Sequence, residues 1–572
     1  MGDSKEFSLA LSGGGFRASL FHIGVLMKLS EVGLLQKATT ISTVSGGSII
    51  GMLYYLHLKY LLETKENVSK EDVITIVKDV KEEFLNAVRK NIIMVPLKRN
   101  LIQLIEAGIN PDYSRTNVLA EVYQKEIYDN IWKKIVDYWK KQKNRPEEWK
   151  DVDKDENPYL YRLKIYPKGI FKKKDFSEFN INTYNEDYSN QVKVPDLIIN
   201  ATNLNTGNLW RFSATKFGEY LSIKDVFANT TIKKLFYEKC TEKEIYRLRS
   251  EFGIEKLLEL LTDKGKSEQF FIKNQLENTF KNFENFRISL ENFFDQLIQF
   301  TECYLYQFFS KKGCEELSEE LKKSIKIGDA VASSACVPGI FAPYVFNEEK
   351  FGNYKEIYGI DKLLLVDGGV YDNQGLESVE RKVIKSKIKN RKEKEIGLVF
   401  CSDASGQLYV KELSSKTLKV VSRSSNVMGK RLRMLTIDKL YSEKNKGSLK
   451  FILIHLKQHV KNPVKELNPP LTFDKDIAEL NSKLRTQLNK FWDEEIKSLI
   501  TQGYVLSEYF LYRFFREEIT EISTDFRKEI IDYYNDIEER KEEFKRILKM
   551  GQSTFPTLKI ALFKIFQNKK GA

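Results

Sequence analysis

The sequence predicts an α/β fold built on parallel strands and interrupted by large α-helical insertions. Three observations predict it: the first 56 residues alternate strand, helix, strand, helix; two later apolar runs end on a polar residue; and long amphipathic stretches separate these blocks. Phe7-Ser8-Leu9-Ala10-Leu11 reads as a short buried strand ending at Ser12-Gly13-Gly14-Gly15. From Phe16 to Val32, Leu20, Phe21, Ile23, Leu26, Met27 and Leu29 recur at helical spacing, and Gly33 follows as a C-cap. Thr40-Ile41-Ser42-Thr43-Val44 is β-branched and strand-like, with Ser45 at its exit. Gly46-Gly47-Ser48 then open a buried helix through Ile49, Ile50, Met52, Leu53, Tyr54, Tyr55 and Leu56. A right-handed crossover brings the glycine turn beside the serine.

That juxtaposition has chemical meaning. A glycine-rich strand-to-helix turn presents backbone N–H groups at the positive end of a helix, a place for an anion. A serine on the neighbouring turn offers a hydroxyl at the same sheet edge. Together they supply a nucleophile and an oxyanion hole for acyl transfer. A dinucleotide fingerprint would need Gly-x-Gly-x-x-Gly and an acidic residue closing the second strand, which here ends in serine and glycine. A P-loop would need Gly-Lys-Ser/Thr, also absent.

The nucleophile needs a base. The chain has 4 histidines. His22 and His57 fall inside the two apolar helices, while His455 and His459 follow the apolar strand Phe451-Ile452-Leu453-Ile454 at a spacing that would share one helix face. With no third ligand nearby, that pair predicts no metal site. Asp367 is the better candidate: Leu363-Leu364-Leu365-Val366 form a buried strand, and the carboxylate lands at its C-terminal end, where open α/β sheets place their chemistry. Gly368 and Gly369 turn the backbone away.

These residues resemble the patatin-like phospholipases. Ser12-Gly13-Gly14-Gly15-Phe16-Arg17, Val44-Ser45-Gly46-Gly47-Ser48 and Asp367-Gly368-Gly369 look like that family's three signatures. The block from Ala332 to Pro343, the stretch Asn200–Gly207, the strand Ile396–Ala404 and the segment from Arg485 to Tyr504 are similar to further family segments. The resemblance implies a modified α/β-hydrolase sheet in a three-layer α/β/α arrangement, with a helical C-terminal region. It places a phospholipase domain at 6–510, with helical insertions at about 60–180 and 225–327, and a helical extension at 511–572. It also implies a Ser45–Asp367 dyad without histidine, an oxyanion hole from Gly13, Gly14, Gly15 and Gly46, and no metal or cofactor. Arg17 either pairs with a substrate phosphate or anchors the glycine loop. One position departs from the family's Gly-x-Ser-x-Gly: Thr43 stands where the first glycine is usual. Its bulk either relaxes the turn or requires a smaller neighbour.

Composition bounds the setting. With 572 residues, 42% of them apolar, the chain has material for a large core. Its 5 cysteines are scattered without a Cys-x-x-Cys pair, which points to a reducing, cytoplasmic compartment. The first strand begins at Phe7, leaving no room for a signal peptide, and Glu6 removes the myristoylation pattern. No apolar run approaches the length of a membrane span. The net charge of +13, from 93 basic and 80 acidic residues, favours anionic partners. No nucleic-acid module is recognisable, so a peripheral anionic membrane surface and a phospholipid substrate are the expected partners. The activity expected is acyl-ester hydrolysis, in lipid turnover or as a membrane-damaging effector. The alternatives are a non-catalytic membrane scaffold on the same fold, or a soluble esterase or acyltransferase. The insertions carry Trp132, Trp139 and Trp149 in the first block and many phenylalanines in the second. The phenylalanine spacing fits core packing, while helical caps over a hydrolase site would also have to offer an acyl chain an apolar path. The tail 556–566 is short, basic and apolar, and either docks on the protein or lies in a membrane interface.

Overall fold

Strands with apolar side chains on both faces belong in the middle of a covered sheet. The computed structural model describes residues 7–90, 115–168, 176, 179–187, 192–214, 217–219, 325–339, 341–347, 360–380, 397–406, 417–445, 447, 449–519, 524–553 and 560. The second helical block and the tail lie outside these, apart from 325–327 and Ile560. β1 (Phe7–Leu11) and β2 (Ala38–Val44) form the predicted crossover pair around α1 (Gly15–Glu31), and α2 (Gly46–Thr64) starts directly at Ser45. β1, β2 and β8 (Gly397–Asp403) are buried almost throughout, as their composition requires.

The sheet has 9 strands in the order β5-β4-β3-β2-β1-β8-β9, where β3 is Asp196–Asn203, β4 Leu209–Phe212, β5 Phe217–Glu219 and β9 Leu449–His455. β3, β2, β1, β8 and β9 run parallel, and β4 and β5 extend the sheet antiparallel. Two more strands, β6 (Tyr344–Asn347) and β7 (Lys362–Asp367), pair with each other and join through β7. β7 runs antiparallel to β3, pairing Ala201 with Asp367, immediately beyond the point where β2 pairs Val44 with Asn200. β4 occupies the other edge of β3 over 199–202. β2 and β7 therefore lie end to end along the same edge, with their C-termini facing each other.

Alternation along the strands feeds two cores. Leu9, Leu11, Leu398 and Phe400 face the larger one, with α1 and α2. Ala10, Val399, Cys401 and Phe451 face the smaller, which is capped by Ile437 and Leu440 of α7 (Thr417–Asn445). Every residue of α1 is buried, because a second helical layer lies over it. That layer includes α3 (Lys70–Arg89) and the helix α9 (Asp493–Phe514), which passes through residue 510. α1 and α9 approach backbone to backbone at Gly24 and Gly503, where a methyl group would strike the opposite main chain. Beside this crossing, buried Lys28 meets Glu508 at 2.9 Å and Glu31 at 3.2 Å, and Arg527 of α10 (Arg527–Glu539) pairs with Glu508. Phe526 N–H donates to Glu31 at 2.7 Å.

The described part of the first insertion packs as core. α4 (Arg115–Tyr123) continues through a π turn at Gln124–Tyr128 into α5 (Asp129–Lys141). Trp139 stacks on Trp149 with ring centroids 5.8 Å apart, and its indole N–H donates to buried Glu63 at 3.0 Å. α6 (Ile327–Ala335) lies against α4, with Gly328 letting the Ala120 carbonyl approach. None of the described helices is long and apolar enough to cross a membrane.

Candidate active site

Ser45 sits on the sharp turn between β2 and α2 with φ 50°, the only non-glycine residue at positive φ among those described. Such a turn pushes a side chain out of the sheet edge and stores strain that the surroundings must hold. They do so through Ser334 of α6. The Ser45 N–H donates to Ser334 Oγ at 2.9 Å, and Ser334 in turn donates to the Asn200 carbonyl at 2.6 Å. Ser48 Oγ bridges Thr43 Oγ1 at 3.0 Å and Ser334 Oγ at 2.9 Å.

Thr43, the departure from the usual motif, is accommodated. Its hydroxyl donates to the Ile198 carbonyl at 3.0 Å, and its methyl points at Gly51, where an added Cβ would lie 2.6 Å away. The smaller neighbour is therefore one turn along α2.

Asp367 reaches the same point from the opposite direction. Its carboxylate accepts a hydrogen bond from the Ser45 hydroxyl and another, at 2.7 Å, from the Gly369 N–H. Its backbone is fixed by Cys336 O and by the Thr202 hydroxyl, at 3.1 and 3.0 Å. Burial pushes its pKa up to about 6, against the pull of those two donors. Asp372 is also raised to about 6 by burial, but its carboxylate accepts the amides of Gln374, Gly375 and Glu377 and serves the turn.

The glycine loop closes the site. Gly46 rests against the main chain of Gly15, and a methyl at Gly14 would lie 2.6 Å from the Ala404 carbonyl. Gly14 and Gly15 have φ 140° and 59°, conformations that favour glycine. As amides at the starts of α1 and α2, those of Gly14, Gly15 and Gly46 have no acceptor in their own helices. Gly13 departs from the oxyanion-hole expectation: its N–H donates to Asn373 O at 2.9 Å and so is committed to holding the loop.

Arg17 is anchored rather than presented. Its guanidinium, 2% exposed, donates to the carbonyls of Ser482 and Leu484 at 3.0 and 2.8 Å and of Ala404 at 3.0 Å. These three carbonyls hold the start of α1 and favour the loop-anchoring reading over phosphate binding. His22, His57 and His455 have other partners than Ser45 and Asp367. His22 bridges Ser402 Oγ and Ser12 O, and burial lowers its pKa to about 4. His57 pairs with Glu83 at 3.1 Å. His455 ends β9 and His459 follows in irregular chain, so the expected helical pair does not exist. No group of metal-ligating side chains occurs among the described residues.

Two residues central to this geometry carried no role in the sequence reading. Asn200 donates to Ser42 Oγ and Thr43 O, both at 2.9 Å, and accepts from Ser378 at 2.7 Å, holding β2 under the serine turn. Ser334 is the other, and its small-residue block was its only signal.

The chain belongs to the patatin-like phospholipase family, whose sequence model matches residues 9–379. Two solved structures are similar to it. One is human GIVD cytosolic phospholipase A2 (TM-score 0.34, 11% identity, 91% of this chain and 63% of that one). The other is VipD from Legionella pneumophila (TM-score 0.21, 12% identity, 99% and 86%). The chain thus spans less than two thirds of the human protein's chain. No curated protein matches it.

Proposed function

We propose that this chain is a serine acyl hydrolase that cleaves fatty-acyl esters of membrane phospholipids, with Ser45 as nucleophile and Asp367 as base. The observation that carries the reading is the end-to-end meeting of β2 and β7, which sets the Asp367 carboxylate on the Ser45 hydroxyl beside the amides of Gly14, Gly15 and Gly46. Family membership supports a lipid ester as substrate.

The steps follow from the geometry. Asp367 takes the hydroxyl proton as Ser45 Oγ attacks the ester carbonyl carbon. The carbonyl oxygen becomes an oxyanion and draws on the amides of Gly14, Gly15 and Gly46, each well-placed donor contributing a few kcal/mol. The C–O bond to the lysolipid breaks, and Asp367 returns the proton to that leaving oxygen. Water then attacks the acyl-enzyme with Asp367 again as base, the bond from the acyl carbon to Ser45 Oγ breaks, and Asp367 returns the proton to Ser45 as the fatty acid leaves. A base near pKa 6 abstracts a serine proton better than an ordinary aspartate and is still ionised at neutral pH. The +13 charge supports work as a peripheral protein on an anionic membrane, and the scattered cysteines support a cytoplasmic setting. Thr43 would be the hint of a non-catalytic scaffold, but Gly51 makes room for its methyl without loss of the turn.

Release of fatty acid from phospholipid vesicles tests the proposal. Wild type should release it, and Ser45→Ala should lose at least about a thousandfold. Equal release by both would refute the assignment. Cleavage of a short soluble ester with no action on vesicles would keep the dyad and remove the membrane substrate.

A further inference from the structure

A helix packed on a sheet is expected to be apolar on the packed face and polar on the other. α7 is apolar on both. Ile437 and Leu440 face the smaller core, while Val420, Val427, Met428, Leu432, Met434 and Leu435 are between 41% and 62% exposed. Its charges are one-sided as well. Between 417 and 437 the sequence has five basic residues (Lys419, Arg423, Lys430, Arg431, Arg433) and no acidic one.

The position of α7 explains why this matters. The helix connects the parallel strands β8 and β9, so it runs back against them. Its C-terminal part lies along the sheet, where Tyr441 meets Phe451 with ring centroids 5.2 Å apart. Arg433 is level with the strand ends: it donates to Ser405 Oγ at 3.0 Å and lies 3.5 Å from Asp403. Ala404, between those two, is the residue whose carbonyl abuts Gly14. At about 1.5 Å per residue, the segment 417–432 then projects roughly 24 Å beyond the catalytic edge of the sheet. Burial and then the nearby Arg433, Lys430 and Lys483 lower the pKa of Lys457, from the chain leaving β9, against the pull of Glu479, so cations outnumber carboxylates at the base of the projection. Across the site, Val337 and Val370, the latter three residues after Asp367, are also exposed.

We propose that the projecting part of α7 is the membrane-docking element of this protein, its outward apolar face entering the acyl region of an anionic bilayer while Lys430 and Arg431 meet the lipid phosphates. The proposal rests on the phospholipid reading above and names the surface through which that substrate is reached. A lipid surface fits better than a protein groove because apolar and basic residues are interleaved along one convex helix at the mouth of the site. Such a pattern seats a helix in the bilayer interface.

Sedimentation with vesicles of phosphatidylcholine alone, or with anionic phosphatidylglycerol added, tests it, since binding is read without turnover. Leu432→Asp with Leu435→Asp should weaken binding to anionic vesicles at least about tenfold. Lys430→Glu with Arg431→Glu should abolish the preference for anionic over neutral vesicles. Both pairs should keep the wild-type melting temperature and the rate on a short soluble ester. Unchanged vesicle binding in the leucine pair overturns the proposal. So does a wild-type dimer, seen by light scattering, that these substitutions convert to a monomer, because the face would then belong to a second copy. If vesicle binding responds as stated but neither ester is hydrolysed, the enzyme reading fails and the docking surface stands.

Discussion

Asp367→Asn keeps the shape of the side chain at the end of β7 and removes only its charge. Asparagine still accepts from the Gly369 N–H, and its amide can donate to Ser45 Oγ, much as a protonated aspartic acid would. The wild-type carboxylate is raised from 3.8 to about 6 because burial strips its water, and two hydrogen bonds repair only part of that loss. The sign follows from linkage: the folded state holds the proton more tightly than the unfolded one, so stability falls as pH rises from about 4 to about 6 and stays lower above that. The difference between 3.8 and 6 corresponds to about 3 kcal/mol. At an unfolding entropy of about 2.1 cal/mol/K per residue, a chain of 572 residues converts it into about 2–3 °C. Asp367→Asn should therefore melt above wild type by about that much at pH 8 and level with it at pH 4, while turnover drops by about 10²–10⁴-fold. Differential scanning at the two pH values, with a soluble ester for activity, reads both. A variant that melts lower than wild type at pH 8, or that differs equally at both pH values, would refute the claim that Asp367 is held as a costly buried anion.

Three further outcomes follow from the same geometry. The kcat/KM for a soluble ester should be half-maximal near pH 6 and fall about tenfold by pH 5 as Asp367 takes up its proton; a flat profile between pH 5 and 8 would contradict it as base. Gly51→Ala should be near neutral or destabilising in wild type, where overpacking against the Thr43 methyl of about 1–3 kcal/mol opposes a helix-propensity gain of about 1 kcal/mol. In a Thr43→Ser background, which keeps the hydroxyl, the same change should stabilise, and additive melting shifts would sink the explanation. Arg17→Lys should cost about 2–4 kcal/mol by stranding buried carbonyls, without altering KM for phospholipid; a selective rise in KM would revive the phosphate role.

The parts of the site legible in the sequence are those built by neighbours in the chain. β1, the glycine turn, α1, β2 and Ser45 form one contiguous unit whose apolar periods and turn residues suffice to place them. Asp367 was legible as a strand end, because four apolar residues and a Gly-Gly pair bracket it. The direction of its strand was not, since pairing with Ala201 is set by contacts far along the chain. The same holds for Gly13, whose amide is taken by Asn373, and for Ser334, which meets Ser45 across 289 positions. His455 and His459 show the opposite error: their spacing is helical only if the strand ends early, and β9 runs through His455.

The floor beneath the glycine loop has a consequence for synthesis. Arg17 hangs from the carbonyls of Ser482 and Leu484, and Gly15 lies against Thr486, a strip carried between α8 (Lys475–Lys483) and α9 and backed by α11 (Lys541–Met550) through Arg485 and Gly551. A ribosome has therefore delivered Ser45 and Asp367 more than a hundred residues before it delivers the support that shapes the glycine loop. Ser45 and Asp367 exist early in the nascent chain, and the floor of the glycine loop is complete only once Gly551 has been made. A product truncated before Ser482 keeps Ser45 and Asp367 without the strip that shapes the glycine loop, so the proposed acyl transfer would wait until that strip has been made.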